Sequence, residues 1–182
     1  MAKLENKGGG RSYWELGDEP TPPAGQYVCV CVDVHDEFGV ERKKFQSEEM
    51  EKLDECQFLF GTRLADNTPT KFTSRQMRIS GNEKSSLMVM LTAWLGEKPA
   101  MGWDYATPFA DGGCLGRKAI ITLGMQKSAD GSREYLTILS ITGCPEDQAV
   151  GPFGAKPAAA KAKPAAAAKA APAKPASDPV PF

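Results

Sequence analysis

The sequence predicts a mainly β domain that contains one helix and is followed by a disordered C-terminal tail. Short apolar runs of strand length are separated by turn residues, and only one stretch changes from an apolar period of 2 to one of 3.6. Residues 155–176 consist almost entirely of Ala, Lys and Pro. The 182 residues are 41% hydrophobic and 25% charged, which is typical of a soluble globular protein.

The first three predicted strands lie in the N-terminal half of the domain. A Pro-Pro-Ala-Gly turn at 22–25 precedes residues 26–34, whose β-branched run predicts a strand. Residues 57–64 and 70–79 predict the second and third strands, and the third alternates polar and apolar side chains. We expect the acidic stretch at 35–54 to form a loop or a short helix.

The predicted helix follows the third strand. Ser80 and Glu83 have the S-x-x-E spacing of a capping box, and apolar residues from Leu87 to Trp94 recur on one helical face. Gly96 occupies the position of a C-terminal capping glycine. These signals predict a helix of about 13 residues with Trp94 in the core.

A hairpin completes the domain. Residues 117–126 and 134–142 are two apolar runs, and the Asp-Gly pair between them is a strong hairpin signal. The resulting order is β-β-β-α-β-β, with one helix between strands 3 and 4. This order predicts a five-stranded OB-fold barrel, a partly open architecture whose exposed face binds oligonucleotides or oligosaccharides.

The chain divides into four predicted regions. They are a flexible N-terminal arm (1–21), an OB-fold domain (22–147), an Ala/Pro/Lys-rich linker (148–176) and a C-terminal interaction tip (177–182). In the arm, only Tyr13, Trp14 and Leu16 could dock on a core. Four prolines interrupt the alanines between 155 and 176, which favours a semi-extended tether over a helix.

Composition argues against several classes of function. The five cysteines contain no C-x-x-C pair and His35 is the only histidine, so we expect reduced thiols, no metal and no cofactor. No phosphate-binding loop, nucleophile elbow or H-E-x-x-H motif is present, so we expect no enzymatic activity. Apolar runs are too short for a membrane-spanning helix and the N-terminus lacks a secretory signal, which predicts a cytoplasmic protein.

The charges are unevenly distributed along the chain. Residues 22–147 hold 14 Lys and Arg against 18 Asp and Glu, whereas residues 155–176 hold five lysines and no acid. The acids concentrate at 48–55, away in sequence from the basic strands. A cationic face on one side of the domain is therefore compatible with its negative net charge.

The last six residues form a motif of their own. A tether that ends in an aromatic residue suits a peptide ligand. The ring fills a pocket of the partner protein, and the terminal carboxylate pairs with one of the partner's basic residues. The ending resembles the tip of bacterial single-stranded DNA-binding proteins, with Pro181 and Phe182 matching and Asp178 as the single acid. The resemblance implies recruitment of replication or recombination proteins through Asp178, Pro179, Val180, Pro181 and Phe182.

The head of the chain carries a second resemblance, spanning about residues 22–145. Its motifs are Pro23-Ala24-Gly25-Gln26-Tyr27, Val32-Asp33-Val34, Leu91-x-x-Trp94-Leu95-Gly96, Leu115-Gly116-Arg117-Lys118 and Tyr135-Leu136-Thr137-Ile138. They are similar to phage-encoded single-stranded DNA-binding proteins. The resemblance implies sequence-independent DNA binding during phage replication, recombination or repair, in the cytoplasm of a bacterial host, with a homo-oligomer as one possible assembly.

Single-stranded DNA is held by cations that contact phosphates and by aromatic rings on which bases stack. Three groups of candidates meet this description: Lys71, Phe72, Arg75 and Arg78 in the third strand; Trp103, Tyr105 and Phe109 in the following loop; and Arg117, Lys118, Lys127, Arg133 and Tyr135 in the final hairpin.

Each group has an alternative interpretation. Phe72 and Tyr135 could face the core, Trp103 and Tyr105 could pin the loop to the domain, and the cations could be ordinary solvated surface. Two other functions stay open: an adaptor that binds only proteins, and an enzyme that uses Asp33, His35 and Asp36.

Overall fold

The computed structural model describes residues 20–44, 47–128 and 131–153. This part of the chain is mainly β with a single α-helix, as the sequence predicts. Its elements are β1 (Gly25–Lys43), β2 (Met50–Arg63), β3 (Pro69–Thr73), β4 (Met77–Arg78), α1 (Ser86–Leu95), a short 3-10 helix (Phe109–Asp111), β5 (Lys118–Lys127), β6 (Glu134–Gly143) and β7 (Gly151–Pro152).

The strands form one antiparallel sheet that is open. Its order is β3-β2-β1-β5-β6, with β4 paired to β2 and β7 paired to β1. Closing the sheet into a barrel would require its two edges, β3 and β6, to pair, and no such pairing is present among the described residues. The described sheet has seven strands and is not closed, so the expected five-stranded barrel is not confirmed.

The first two strands are much longer than the sequence suggests. β1 runs on to Lys43 and β2 starts at Met50, with Val40 opposite Leu53 and Arg42 opposite Glu51. The prediction of a loop or short helix at 35–54 is wrong. Backbone pairing does not require apolar side chains, so a charged segment continues as a solvated two-stranded extension. We call residues 35–43 and 50–56 the ribbon.

The predicted third strand is interrupted. β3 ends at Thr73 and β4 occupies only two residues. Between them, the Ser74 hydroxyl accepts a hydrogen bond from the Phe58 amide at 3.0 Å, and the Gln57 side-chain amide donates to the Ser74 carbonyl at 2.7 Å. Side-chain bonds thus replace regular ladder bonds at this point, which ends the strand.

The helix is confirmed, but its start differs from the prediction. Ser85 is the N-cap and accepts a hydrogen bond from the Met88 amide at 3.2 Å, so the expected capping box at Ser80 and Glu83 is wrong. Residues 82–84 form a turn in which the Asn82 side chain accepts from the Lys84 amide, which delays the helix. Gly96 ends it with φ 79°, as predicted, because glycine reaches the left-handed region without strain.

The core lies between α1 and one face of the sheet. Trp94 is 1% exposed, and its ring meets Phe58 and Phe60 edge-on at centroid distances of 6.1 and 5.5 Å. The indole Nε1 donates to the Lys118 carbonyl at 2.9 Å, which ties the helix to β5. The prediction that Trp94 is a core residue is confirmed.

The folded domain extends past its predicted end at residue 147. β7 pairs with β1 through Tyr27 and Val28, and the Phe153 amide donates to the Gln26 carbonyl at 2.8 Å. Residues 151–153 were expected in the linker and belong to the sheet instead. The remainder of the predicted linker, the tip at 177–182 and most of the N-terminal arm lie outside the described residues.

Candidate nucleic-acid interface

A cleft of about 320 Å³ opens between β3 and β6, the two edges of the sheet. We call it the edge cleft. Its walls are residues 71–73 of β3 and 134–138 of β6, its floor is Leu123 and Met125 of β5, and residues 21–23 border it as well. The fold therefore brings the third-strand and final-hairpin candidates to a single depression, although they lie far apart in sequence.

The floor of the edge cleft is apolar because it is part of the core face of the sheet. Leu123 pairs with Ile138 and Met125 pairs with Leu136, and directly opposed residues in antiparallel strands share a face. Leu123 is buried in the core, with Leu136 and Ile138 packed against it. The cleft is thus the place where the interior of the open sheet reaches the surface.

One polar group in the lining has unused hydrogen-bonding capacity. Thr73 is 5% exposed, and within the described part of the chain its Oγ1 has no hydrogen-bond partner. A buried hydroxyl without a partner is costly, whereas a ligand that donates or accepts there removes the cost. Thr73, a residue of the lining, therefore has a buried hydroxyl with unused hydrogen-bonding capacity.

Cations flank the edge cleft on both sides. Lys71 is part of the lining and Arg75 is exposed two residues beyond Thr73. On the other side, Lys127 pairs with Glu134 at 3.8 Å while both side chains stay well exposed. Arg133 is also exposed and lies where the hairpin turns. Its carbonyl accepts a hydrogen bond from the Ser128 amide at 2.8 Å, and its amide donates to the Ser128 hydroxyl at 3.1 Å.

Arg78 is less suited to phosphate binding than the sequence indicates. It lies opposite Glu55 on β2, and its guanidinium is 4.0 Å from the Glu51 carboxylate. The acids of 48–55 are remote from the third strand in sequence, but β2 carries them beside β4 in the sheet. Their charge offsets that of Arg78.

The two strand aromatics have different surroundings. Phe72 is 5% exposed and stacks on Phe60 with a centroid distance of 5.8 Å, which makes it a core residue. Tyr135 is half-buried and lines the edge cleft. Of the two candidates, Tyr135 is the one that a base entering the cleft would meet.

The loop aromatics Trp103 and Tyr105 pack against the core. The Tyr105 ring is 5.7 Å from that of Phe58, and its hydroxyl donates to Asp36 Oδ1 at 3.0 Å. Burial, with the nearby Cys56 and Asp36, raises the pKa of Tyr105 above its usual value. Tyr105 thus pins the loop to β1, the alternative that the sequence left open.

The remaining candidates also serve contacts within the domain. Arg117 lies over the ring of Phe109, with 4.5 Å from its Cζ to the ring centroid, and its Nε donates to the Gly113 carbonyl at 3.2 Å. Lys118 Nζ donates to the carbonyls of Glu146 and Gln148. None of these side chains lines the edge cleft.

Phe38 is an exposed aromatic that the sequence analysis missed. It lies in a bulge of the ribbon and is 73% exposed, and the next residue, Gly39, has φ 68° with its amide donating to Asp54 at 2.9 Å. Residues 35–57 hold four basic and eight acidic side chains. The ribbon accordingly repels phosphate, and Phe38 is better placed to contact protein than DNA.

Asp33, His35 and Asp36, the residues of the enzymatic alternative, lie on β1. His35 Nε2 lies 3.3 Å from Glu37 Oε1, and no group of three potential metal ligands occurs in the described ranges. Burial raises the pKa of Cys29, Cys56 and Cys114 to about 12 in each case, which keeps these thiols protonated at neutral pH.

No protein-family model, curated protein or solved structure matches this chain. Among the residues that the structure describes, no helix has the length and apolar character needed to cross a membrane.

Proposed function

We propose that this protein binds single-stranded DNA without sequence preference, with the edge cleft as the binding groove. The observation that carries the proposal is that Lys71 and Arg75 lie on β3 and just beyond it, while Arg133 and Lys127 lie at the end of the hairpin that forms the other wall, with Lys127 paired to Glu134 at 3.8 Å. Phosphates along a strand in the groove would be met by cations from both sides.

The chemistry of the cleft suits a single strand better than a duplex. Its apolar floor and Tyr135 accept unstacked bases, and each stacked base contributes on the order of 1–3 kcal/mol. A paired duplex keeps its bases stacked inside and offers only phosphates. With Lys71, Arg75 and Arg133 engaged, the slope of log K against log salt for a single strand approaches about −2.

The OB-fold interpretation forms part of this proposal. β1, β2, β3, β5 and β6 would be the five strands of the barrel, and the edge cleft would be its open seam. Nucleic-acid binding on the exposed face of such a barrel is a known use of the architecture. The wider role in phage replication, recombination or repair rests on the sequence resemblances.

The C-terminal tip supplies the second half of the proposed function. Residues 177–182 would recruit DNA-processing proteins of the host, because an acidic residue followed by prolines and an aromatic ring makes a compact peptide ligand. Deletion of 177–182 is expected to abolish binding to purified host replication and repair proteins while leaving DNA affinity unchanged. Partners that bind the deleted protein as before would contradict recruitment by the tip.

The groove is tested by fluorescence anisotropy of a labelled oligo-dT, with a duplex of the same length for comparison. The variant Arg75→Glu/Arg133→Glu reverses one exposed cation on each side of the edge cleft. Its matched control, Lys84→Glu/Lys98→Glu, makes the same charge change near α1. We expect the cleft variant to lose at least about tenfold in affinity and the control less than about threefold.

Two results would overturn the assignment. Absence of oligo-dT binding at low salt would remove DNA binding altogether, and equal losses in both variants would remove the edge cleft as its location.

A protein-binding adaptor is the second candidate, and the ribbon favours it. Phe38 and Met50 are exposed on a surface with eight acids, which suits a basic protein partner with an apolar contact. An adaptor would tolerate the Arg75→Glu/Arg133→Glu change, whereas a DNA-binding protein would not.

A further inference from the structure

The edge cleft exposes apolar side chains of the core. This exposure needs an explanation that does not involve DNA binding. Leu123, Leu136 and Ile138 face the same side as the aromatic core, yet the sheet ends around them without a covering strand among the described residues. A sheet edge that leaves apolar surface open invites association. Some segment is needed to cover the floor.

The path of the chain identifies one candidate. Residues 21–23 border the cleft, Pro22 is fully buried, and the Pro20 carbonyl accepts a hydrogen bond from the Thr70 hydroxyl of β3. The described chain thus begins at the wall of the edge cleft. The 19 residues before it start from that wall.

The composition of those residues matches the cleft. Tyr13, Trp14 and Leu16 are the apolar side chains nearest to Pro20, and the farthest of them, Tyr13, is within roughly 25 Å of it along an extended chain. The wall along residues 134–138 is about 16 Å long at 3.3 Å per residue. The segment can therefore reach every part of the floor.

Charge and hydrogen bonding agree with this placement. Residues 12–19 contain three acids and no base. The lining holds one cation, Lys71, and one acid, Glu134, which is paired with Lys127 at 3.8 Å. Thr73 Oγ1, buried and without a partner in the described chain, can accept the indole N–H of a tryptophan.

We propose that residues 13–16 of this chain dock in the edge cleft, with the ring of Trp14 on the floor formed by Leu123, Leu136 and Ile138. The arm then acts as the cover that the open sheet lacks. Arg75, Lys127 and Arg133 lie outside the lining. The docked arm and the bases of a bound strand would occupy the same floor, so DNA would displace the arm, and the docking itself does not depend on DNA binding.

The full-length protein, methyl-labelled at Ile, Leu and Val, provides the test by NMR. Trp14→Ala is expected to shift the methyl signals of Leu123, Leu136 and Ile138 through loss of the ring current. Signals of Ile121 and Ile141, which are core residues outside the lining, should stay in place and report that the fold is intact. Leu4→Ala, in the same arm, is the matched control and should change none of these signals.

Hydrogen exchange gives a second readout. Amides of residues 134–138 are expected to exchange at least about tenfold faster in Trp14→Ala, and Trp14→Phe, which keeps an aromatic ring, should retain most of the protection. If the core signals also change in Trp14→Ala, that variant does not fold normally. Docking is then tested with Trp14→Phe. It is also tested in the native protein by nuclear Overhauser contacts from the Trp14 indole to Leu136 and Ile138.

Three results would overturn the proposal. The first is an absence of indole contacts and of any change at the cleft methyls in Trp14→Ala. The second is loss of protection on deletion of residues 154–182 alone, which would assign the cleft to the C-terminal segment. The third is protection that rises with protein concentration, which would assign it to a second copy.

Discussion

The strands β1 and β2 each build two different regions of the molecule. Where residues 30–34 pair with residues 58–61, they contribute Cys31, Phe58 and Phe60 to the core. Where they continue as the ribbon, the paired positions are mostly charged and only partly buried. The same backbone ladder therefore runs from a region held by packing into a region held by hydrogen bonds and ion pairs.

The two regions are stabilised by different kinds of contact. In the ribbon, Arg42 donates to Glu55 from Nε at 3.2 Å and from Nη2 at 2.7 Å, and also to Gln76 at 2.7 Å. The hydrogen bond to Glu55 is the main reason that the pKa of Arg42 is raised. Such contacts are weaker than aromatic packing, so the two regions should respond differently to perturbation.

Loss of Trp94 tests the packed region and is the largest expected effect. Trp94→Ala removes the ring between Phe58 and Phe60 together with the bond to the Lys118 carbonyl. We expect the free energy of unfolding to fall by about 3–5 kcal/mol in urea denaturation followed by circular dichroism. Val89→Ala, on the exposed side of the same helix, should change it by less than about 0.5 kcal/mol. A loss below about 1 kcal/mol in Trp94→Ala would contradict the central place of this side chain.

Thiol reactivity distinguishes the ribbon from the core, because one cysteine lies where the two regions meet. Cys56 pairs with Asp36 where the ribbon meets the buried part of β2, while Cys29, Cys31 and Cys114 lie wholly in the core. Burial raises the pKa of Cys56 to about 12, so at pH 8 its thiolate fraction in the closed state is only about one in ten thousand.

We expect iodoacetamide to label the partly exposed Cys144 first and Cys56 second, because local opening of the ribbon exposes Cys56 while the core stays closed. Peptide mass spectrometry at pH 8 measures the five rates. Equal rates for Cys56 and Cys29 would mean that ribbon and core open as one unit.

Glu55 tests the ribbon directly. Its side chain is 12% exposed, so Glu55→Gln weakens charge-assisted bonds to Arg42 that are partly shielded from water. We expect a loss of about 1–2 kcal/mol in the free energy of unfolding. Glu48→Gln removes the partner of Lys43 at a 93% exposed side chain and should cost less than about 0.5 kcal/mol. Similar values for the two variants would show that the Arg42 contacts add nothing beyond surface pairing.

The smallest expected effect is on DNA affinity and concerns the negative charges of Glu48 and Glu49, which lie beside the ribbon in sequence. Glu48→Gln/Glu49→Gln removes two exposed negative charges away from the edge cleft. If the cleft binds DNA, we expect oligo-dT affinity to rise about two- to threefold at low salt and to return to the wild-type value near 0.3 M salt. An increase that persists at high salt would indicate a direct contact between the ribbon and DNA.

Local signals in the sequence were reliable where one residue decides the conformation. Gly96 ends the helix, residues 118–127 and 134–143 form the predicted hairpin, and Trp94 lies in the core. The capping box at Ser80 failed because a competing turn at Asn82 uses the same residues. The ribbon was missed because charged, non-alternating residues resemble a loop unless the partner strand is known.

The candidate site was predictable only in part. Lys71, Arg75, Lys127, Arg133 and Tyr135 were found as two separate groups from their residue types. Phe72 turned out to be a core residue and Arg78 a partner of Glu51, because strand pairing sets which face and which neighbour each side chain meets.

By itself, the sequence determined the mainly β class, the single helix with its glycine end, and the closing hairpin. These features follow from backbone dihedral preferences and short-range periodicity, which act within a few residues. Only the tertiary structure decided that the sheet stays open, that its edges flank one cleft, and that the acids of β2 lie beside Arg78. Such relations depend on pairing between distant segments, and the free energy of that pairing is distributed over the whole sheet rather than encoded at any single position.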